Sequence, residues 1–255
     1  MPAQEDPRPL VAADVQPGDP WGPVELLDEV DSTNAVLSAD PRPWRIVVAE
    51  RQRQGRGRLA RTWVTTPGAS LAVSTLVPVS GMPLGWVPLV AGLALAEAIT
   101  ETSGLATTLK WPNDVLLPAA GQRKVAGILC EWTSAGVIVG TGVNVGQAPG
   151  ELPLDTATSV RAAGGEVGRE ALLTAYLACL AALLQEAGRD LAGVRARYAA
   201  RCGTLDAPVR VLEPTTERSG VARRIDDEGR LVLQTPDGPY AVSAGDVVHV
   251  RPAVD

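Results

Sequence analysis

Hydrophobic and polar positions recur along this chain with two different periods. Alternating or continuous apolar runs over residues 24–30, 46–50 and 70–77 predict strands, whereas residues 89–102, rich in Ala, Leu and Ile, predict a buried helix. Between the first two runs, Asp31-Ser32-Thr33-Asn34 places good N-cap types before Ala35, Val36 and Leu37, which predicts a helix start. Residues 51–61 break all periodicity. From 107 to 145 the pattern turns to short β-rich runs, at 109–111, 115–117, 125–132 and 137–143, as an antiparallel or mixed sheet would show. Residues 169–187 give the longest helical signal, with Leu172, Leu173, Tyr176, Leu177, Leu180, Leu183 and Leu184 at spacings of three and four. A more polar helix is predicted over 191–202.

Past Gly203 the chain reads as five short strands, 209–212, 221–225, 231–234, 240–242 and 247–250, with tight-turn chemistry at Asp227-Glu228-Gly229 and Asp237-Gly238. A segment of this size suits a small β-barrel. The expected division is therefore a Pro-rich mobile tail over 1–23, a main domain over 24–204 and a small β domain over 205–255, with no internal repeat.

Composition narrows the class. A chain of 255 residues, 45% apolar with net charge −6, has enough apolar surface for a core and is not disordered. Its acidic, Pro-rich start is not a secretory signal, and no apolar run reaches the roughly 18 residues expected of a membrane span. Cys130, Cys179 and Cys202 show neither disulfide nor metal-ligand spacing, so a soluble cytoplasmic protein is expected. Phe is absent, and of 23 basic residues only Lys110 and Lys124 are lysine.

Residues 51–61 hold five arginines with Gly55 and Gly57, and no acid follows before Glu97. Glycines that let the backbone approach a ligand, beside guanidinium forks, suit an anion site; a solvated basic loop and an Arg-Gly nucleic-acid grip are equally open readings. The P-loop pattern is missing, and Gly140-Thr141-Gly142-Val143-Asn144-Val145-Gly146 does not fit the dinucleotide fingerprint, so it reads as a strand-end turn presenting Asn144. In Lys110-Trp111-Pro112-Asn113-Asp114, Pro112 keeps Trp111 extended, which sends Lys110 and Trp111 to opposite sides; Asn113-Asp114 then forms an Asx turn or supplies oxygens to Mg²⁺. Lys124 precedes an apolar strand, where a compact charge is wanted or a strand simply ends in solvent. His249 is the only His, and reads as a strand residue.

Taken in order, Ser32-Thr33-Asn34, Gln52 with Gly55-Arg56-Gly57-Arg58 and Arg61-Thr62-Trp63, Lys110-Trp111-Pro112-Asn113-Asp114, Lys124-Val125-Ala126-Gly127-Ile128 and Gly140-Thr141-Gly142-Val143-Asn144 resemble the biotin protein ligases over about residues 24 to 251. The resemblance implies an α+β fold: a mixed β-sheet flanked by helices, similar to class II aminoacyl-tRNA synthetases, followed by an SH3-like barrel. It implies activation of biotin by ATP with Mg²⁺ and transfer to a lysine of a biotin carboxyl carrier domain of an acyl-CoA carboxylase. Around biotin it places Ser32, Thr33, Asn34, Gln52, Arg56, Gly57, Arg58, Lys124 and Gly127. Around ATP it places Arg56, Arg58, Arg61, Trp63, Lys110, Asn113 and Asn144, with Asp114 at the metal and Lys124 and Arg58 as the catalytic pair. Some members carry an N-terminal helix-turn-helix of roughly 60 residues; with 23 residues before the first motif, sequence-specific DNA binding is not expected. In the small domain, Arg210 and Arg251 are further candidates for holding ATP or the acceptor. The rival readings are a lipoate or octanoyl protein ligase and a nucleic-acid-binding protein, and the oligomeric state is open.

Overall fold

A computed structural model describes residues 8–213, 216–243 and 245–249. Seven strands form one sheet in the order β1-β2-β3-β7-β6-β5-β4. They are β1 (Val24–Val30), β2 (Ile46–Gln52), β3 (Ser70–Val77), β4 (Thr108–Lys110), β5 (Asp114–Leu117), β6 (Arg123–Thr133) and β7 (Gly136–Asn144). Only β1 and β2 run parallel; the other neighbours are antiparallel, so the sheet is mixed, as expected.

The two faces of this sheet are covered unequally. On the back lie α2 (Val87–Ser103), α3 (Arg169–Arg189) and α4 (Leu191–Arg201), whose buried Leu, Val and Ala side chains join those of the sheet in the main core. Among the described residues the one α-helix on the front is α1 (Thr33–Ala39), which seals Leu37 against Val47, Leu76 and Ile138 and leaves the front of β6 and β7 beyond it without an α-helix. Contrary to expectation, Leu84–Ser103 and Arg169–Arg189 are long and apolar enough for membrane spans, but 67% of the first is buried within the protein, because it is the central core helix.

Residues 8–23, expected as a mobile tail, are held on the core: Leu10, Val15 and Trp21 are buried, and Trp21 Nε1 donates to the Leu177 carbonyl at 2.9 Å. The anchor is a buried ion pair. Arg169 Nη1 lies 2.9 Å from Glu50 Oε2, Glu50 accepts the Leu10 and Gly68 amides, and Arg169 Nη2 donates to the Arg8 carbonyl.

The C-terminal strands, β8 (Pro208–Leu212), β9 (Glu217–Ile225), β10 (Leu231–Thr235), β11 (Gly238–Val242) and β12 (Asp246–His249), form an antiparallel sheet in the order β11-β10-β9-β8-β12. A C-terminal β-sheet is thus present where an SH3-like barrel was expected, but its edge strands β11 and β12 are not paired with each other among the described residues. His249 is in strand β12, as expected, whereas Arg251 falls outside the described residues. One turn of the small sheet is fastened to the main domain by two indoles. Trp86 Nε1 donates to the carbonyls of Asp226 and Asp227 at 3.2 and 3.0 Å, and Trp111 Nε1 donates to the Gly229 carbonyl at 3.1 Å. A side chain at Gly85 would put its Cβ 2.1 Å from the Glu228 carbonyl oxygen, so glycine permits that approach.

Burial alone would raise the Glu50 carboxyl above its ordinary 4.5, but bonds from Arg169 and from the Leu10 and Gly68 amides outweigh it and hold it lower. The stability this group contributes is therefore complete above its unfolded value and fades as pH falls through its lower folded value. Glu50→Gln is expected to leave a buried Arg169 charge uncompensated and to lower stability by about 3 kcal/mol at neutral pH. Urea midpoints at about pH 7 and about pH 3 check this: the gap to wild type should narrow at the acid end.

Candidate active site

Side-chain alternation along β7 makes the site. Val137, Val139, Thr141 and Val143 are buried toward the back, where Thr141 Oγ1 lies 2.8 Å from Tyr176 Oη. That leaves Ile138, Gly140, Gly142 and Asn144 for the front. In the register of the sheet Gly127 of β6 stands opposite Gly142, and Leu129 opposite Gly140. Glycine at 127, 140 and 142 means that bare backbone forms the floor. The strand expected over 137–143 runs on through Asn144, where a strand-end turn was also expected, and its glycines serve space rather than unusual backbone angles.

The indole of Trp63 lies on this floor. A Cβ on Gly142 would fall 2.2 Å from Trp63 Cε2, and one on Gly127 would fall 2.9 Å from Lys124 Nζ and 3.6 Å from Trp63 Cζ3. Lys124 Nζ in turn sits 5.8 Å from the Trp63 ring centroid. Trp63 Nε1 is buried and has no hydrogen-bond partner among the described residues.

At one end of the floor, the start of α1 ties the expected biotin contacts into a chain of bonds. Ser32 is the N-cap, but its side chain makes no capping bond. Gln52 does this instead: its Oε1 accepts from Thr33 N at 2.9 Å and from Thr33 Oγ1 at 3.2 Å. Ser74 Oγ is 2.6 Å from both Thr33 Oγ1 and Asn34 Oδ1. Asn34 Nδ2 donates to Glu131 Oε2 at 2.5 Å and to the Leu129 carbonyl at 3.4 Å, and Arg56 Nη2 reaches the same Glu131 oxygen at 3.1 Å. A Cβ at Gly140 would lie 2.2 Å from Asn34 Oδ1, so glycine there makes room for the amide.

The arginine segment is an ordered arm, not a shapeless loop. Gly57 N bonds the Arg61 carbonyl at 2.7 Å and Trp63 N bonds the Gly55 carbonyl at 2.8 Å, with Arg56 and Thr62 bridged between them. A Cβ on Gly55 would be 2.2 Å from the Trp63 carbonyl oxygen, which requires glycine at the base of the arm. Arg58 Nη1 donates to Asn113 Oδ1 at 3.2 Å and to the Gly245 carbonyl at 3.3 Å, and Arg61 pairs with Asp246. Burial pulls the Arg58 guanidinium below its ordinary value, against the opposing pull of Asp114 and Asp246. The hydrogen bond from Arg61 to Asp246 raises Arg61 above its own. At the far end Lys124 Nζ lies 2.6 Å from Asp114 Oδ1.

Most residues singled out in the sequence thus converge, but three differ from expectation. Asn144 is buried, donates to the Thr158 carbonyl at 3.0 Å and accepts from Gln147, so its side chain braces the strand end instead of facing the cleft. Lys110 stands opposite Asp114 in the β4–β5 register and, among the described residues, its side chain has no ion pair or hydrogen bond. Asp114 does not fit a metal ligand: its oxygen is engaged by the Lys124 ammonium, and no group of three His, Cys, Asp or Glu able to hold a metal exists among the described residues. Ser74, Glu131, Gly142 and Asp246 were missed. Glycines at alternate positions of a Val-rich strand were a readable signal for Gly142, and a lone acid in an apolar strand was one for Glu131; nothing marked Asp246.

A glycine floor wide enough for a flat ring is rimmed by Arg56, Arg58 and Lys124, so space for a ring and positive charge lie side by side. Residues 26–147 match the biotin/lipoate A/B protein ligase family, and residues 204–250 match the biotin protein ligase C-terminal domain. The chain is 36% identical to the biotin–acetyl-CoA-carboxylase ligase of Mycobacterium tuberculosis, covering 92% of this chain and 91% of that protein. It is 35% identical to the Paracoccus denitrificans enzyme described in the same words, over 87% of this chain and 98% of that one. Among solved structures, the biotin protein ligase of Aquifex aeolicus in complex with biotin and ATP superposes with a TM-score of 0.78 at 28% identity, covering 90% of this chain and 99% of that one. The chain belongs to the biotin/lipoate A/B protein ligase family.

Two tryptophans with opposite bonding give a direct check of this geometry. Trp63→Phe removes an unpartnered buried N–H and should leave the urea midpoint unchanged or higher, whereas Trp111→Phe strands the Gly229 carbonyl and should lose about 1–3 kcal/mol.

Proposed function

We propose that this chain is an ATP-dependent ligase that activates biotin as biotinyl-5′-AMP, releases pyrophosphate, and transfers the biotinyl group to a lysine of a biotin carboxyl carrier domain. The observation that carries this reading is Lys124 at the end of a bare glycine floor, with Arg58 opposite on an ordered arm. The relatives described as biotin–acetyl-CoA-carboxylase ligases supply the substrate.

The chemistry follows from charge. A carboxylate must approach the α-phosphate before either can react, and two anions repel. Lys124 and Arg58 offset that repulsion in a cleft partly removed from water, where fixed charges act more strongly than in solvent. The carboxylate oxygen then bonds to α-phosphorus as the bond to pyrophosphate breaks. In the second half, the neutral amine of the acceptor lysine bonds to the acyl carbon, AMP leaves with the electron pair of the acyl–oxygen bond, and the nitrogen gives up one proton to solvent. Lys124 is held by Asp114 in the resting site and turns from that carboxylate to the incoming phosphate. Mg²⁺ would enter with the triphosphate and lower its charge; the donor set around Asp114 gives it no protein cage among the described residues.

Biotin's ureido ring is assigned to the end of the floor formed by Ser32, Thr33, Asn34 and Gln52, whose donors and acceptors match a ring bearing both. Trp63 lies over Gly127 and Gly142, and its indole is assigned as a wall against the adenine. Gly57 keeps the arm slim above the intermediate, and Arg61 and Lys110 stand toward the triphosphate. Residues 205–255 are assigned as a small C-terminal domain, with Arg210 on its strand β8, and residues 24–204 as the catalytic domain. The three free cysteines suit a reducing cytoplasm.

The rival readings meet specific obstacles. An acyl-thioester route needs a thiolate, yet burial pushes Cys130 up to about 12 and raises Cys179 and Cys202 as well. A nucleic-acid grip needs free arginines, whereas Arg53, Arg56 and Arg61 are paired with Asp31, Glu131 and Asp246.

Incubation with ATP, Mg²⁺, biotin and a carrier domain should add one biotinyl mass to the carrier; lipoate used in place of biotin would overturn the reading. Lys124→Ala is expected to slow adenylate formation about 100- to 1000-fold. Gly142→Val, which suits a strand but fills the floor, should raise the KM for biotin at least about tenfold in pyrophosphate-release kinetics. Arg58→Gly should release adenylate, seen as biotinylation of unrelated lysines.

A further inference from the structure

Glu131 ends the bond chain that begins at Gln52, and among the described residues it is the carboxylate bonded to both Asn34 and Arg56. Its position follows from strand alternation. Gly127, Leu129 and Glu131 share the front of β6, and Glu131 stands opposite Ile138, beside the α1 core.

Two constraints meet at this side chain. The first is the orientation of the Asn34 amide. Two acceptors, Glu131 Oε2 and the Leu129 carbonyl, lie on one side of it and the Ser74 hydroxyl on the other, so Nδ2 faces the strand and Oδ1 faces Ser74. Neutralising Glu131 replaces the stronger of the two acceptors by an uncharged amide that can present either a carbonyl or an NH2, and so weakens the hold on the Asn34 amide. The second is Arg56. Its side chain is half exposed, and its one ion pair among the described residues is with Glu131; without it, a long side chain on the arm has no fixed direction.

We infer that Glu131 is the positioning residue of the biotin end of the site, fixing the Asn34 amide and holding Arg56 over the pocket, so that the ureido ring meets a preset pattern of donors and acceptors. The inference rests on the pocket assignment made above. Glu131 stands at the opposite end of the floor from Lys124 and acts on how biotin is held, not on the phosphoryl step.

Steady-state kinetics of Glu131→Gln and Glu131→Asp test it, with Gly142→Val as the control for the pocket. The expected result is a KM for biotin raised about tenfold in Glu131→Gln, with kcat, the KM for ATP and the thermal midpoint close to wild type, and most of the loss recovered in Glu131→Asp. If Gly142→Val raises the KM for biotin and Glu131→Gln does not, the inference falls and the pocket stands. If Gly142→Val leaves the KM for biotin unchanged, the pocket assignment falls and the inference with it. A Glu131→Gln variant that lowers kcat together with the thermal midpoint would also overturn it, because Glu131 would then hold the fold and not the ligand.

Discussion

Space above a sheet is the constraint on which the site depends. A β-strand normally carries a side chain at every second position on each face, and a layer of side chains would keep any ligand several ångströms from the backbone. At Gly127, Gly140 and Gly142 that layer is missing, and each absence makes room for a named neighbour: Lys124 with Trp63, Asn34, and Trp63 again. The back of the same strands is as well packed as any core, with Val137, Val139 and Val143 buried under the helices. Stability is therefore drawn from one face while the other is left thin, and α1 is short enough to seal Leu37 without covering the glycines.

A thin face must still be rigid, and the rigidity comes from bonds that the site itself does not use. Trp111 lies between Lys110 and Asn113 in sequence, yet its indole points into the core and fastens to Gly229 of the small sheet. Trp86, at the start of α2, fastens to the same turn. The turn is itself braced: burial would raise the Asp226 carboxyl, but bonds from the Arg230 amide and guanidinium and from the Glu228 amide hold it low and charged. Because this docking uses direct indole-to-carbonyl bonds, Gly245 and Asp246 are brought to a fixed place beside the arginine arm.

Much of the fold was legible because periodicity reports which face is buried. The strands of the main sheet and both long helices follow from it, and the five C-terminal runs do form a sheet. The sites where the reading failed share one cause, namely that partners came from distant sequence. The tail over residues 8–23 has no periodicity of its own, and Glu50 and Arg169 hold it. Ser32, Thr33 and Asn34 look like ordinary helix caps, and the cap is Gln52, from the neighbouring strand. Asn144 looked like a ligand group because amides at strand ends often are, but Thr158 and Gln147 claim it. Asp114 looked like a metal ligand until Lys124, ten positions on, was placed against it. In each case local sequence named the chemistry of the group correctly and could not name what it would bond.

The arginine arm shows how these features combine. Leu59 and Ala60 both take left-handed backbone angles, φ 54° and 58°, which neither side chain favours and which cost of order 1–3 kcal/mol each. Leu59 is 58% exposed, so burial does not offset that strain. What opposes it are the two backbone bonds of the arm and the contacts of Arg58 and Arg61 with Asn113, Gly245 and Asp246. Three of these partners are carbonyl or carboxylate oxygens, the same chemistry that a phosphate or a carboxylate presents. In the proposed ligase an anionic ligand would therefore compete for the groups that hold the arm in shape.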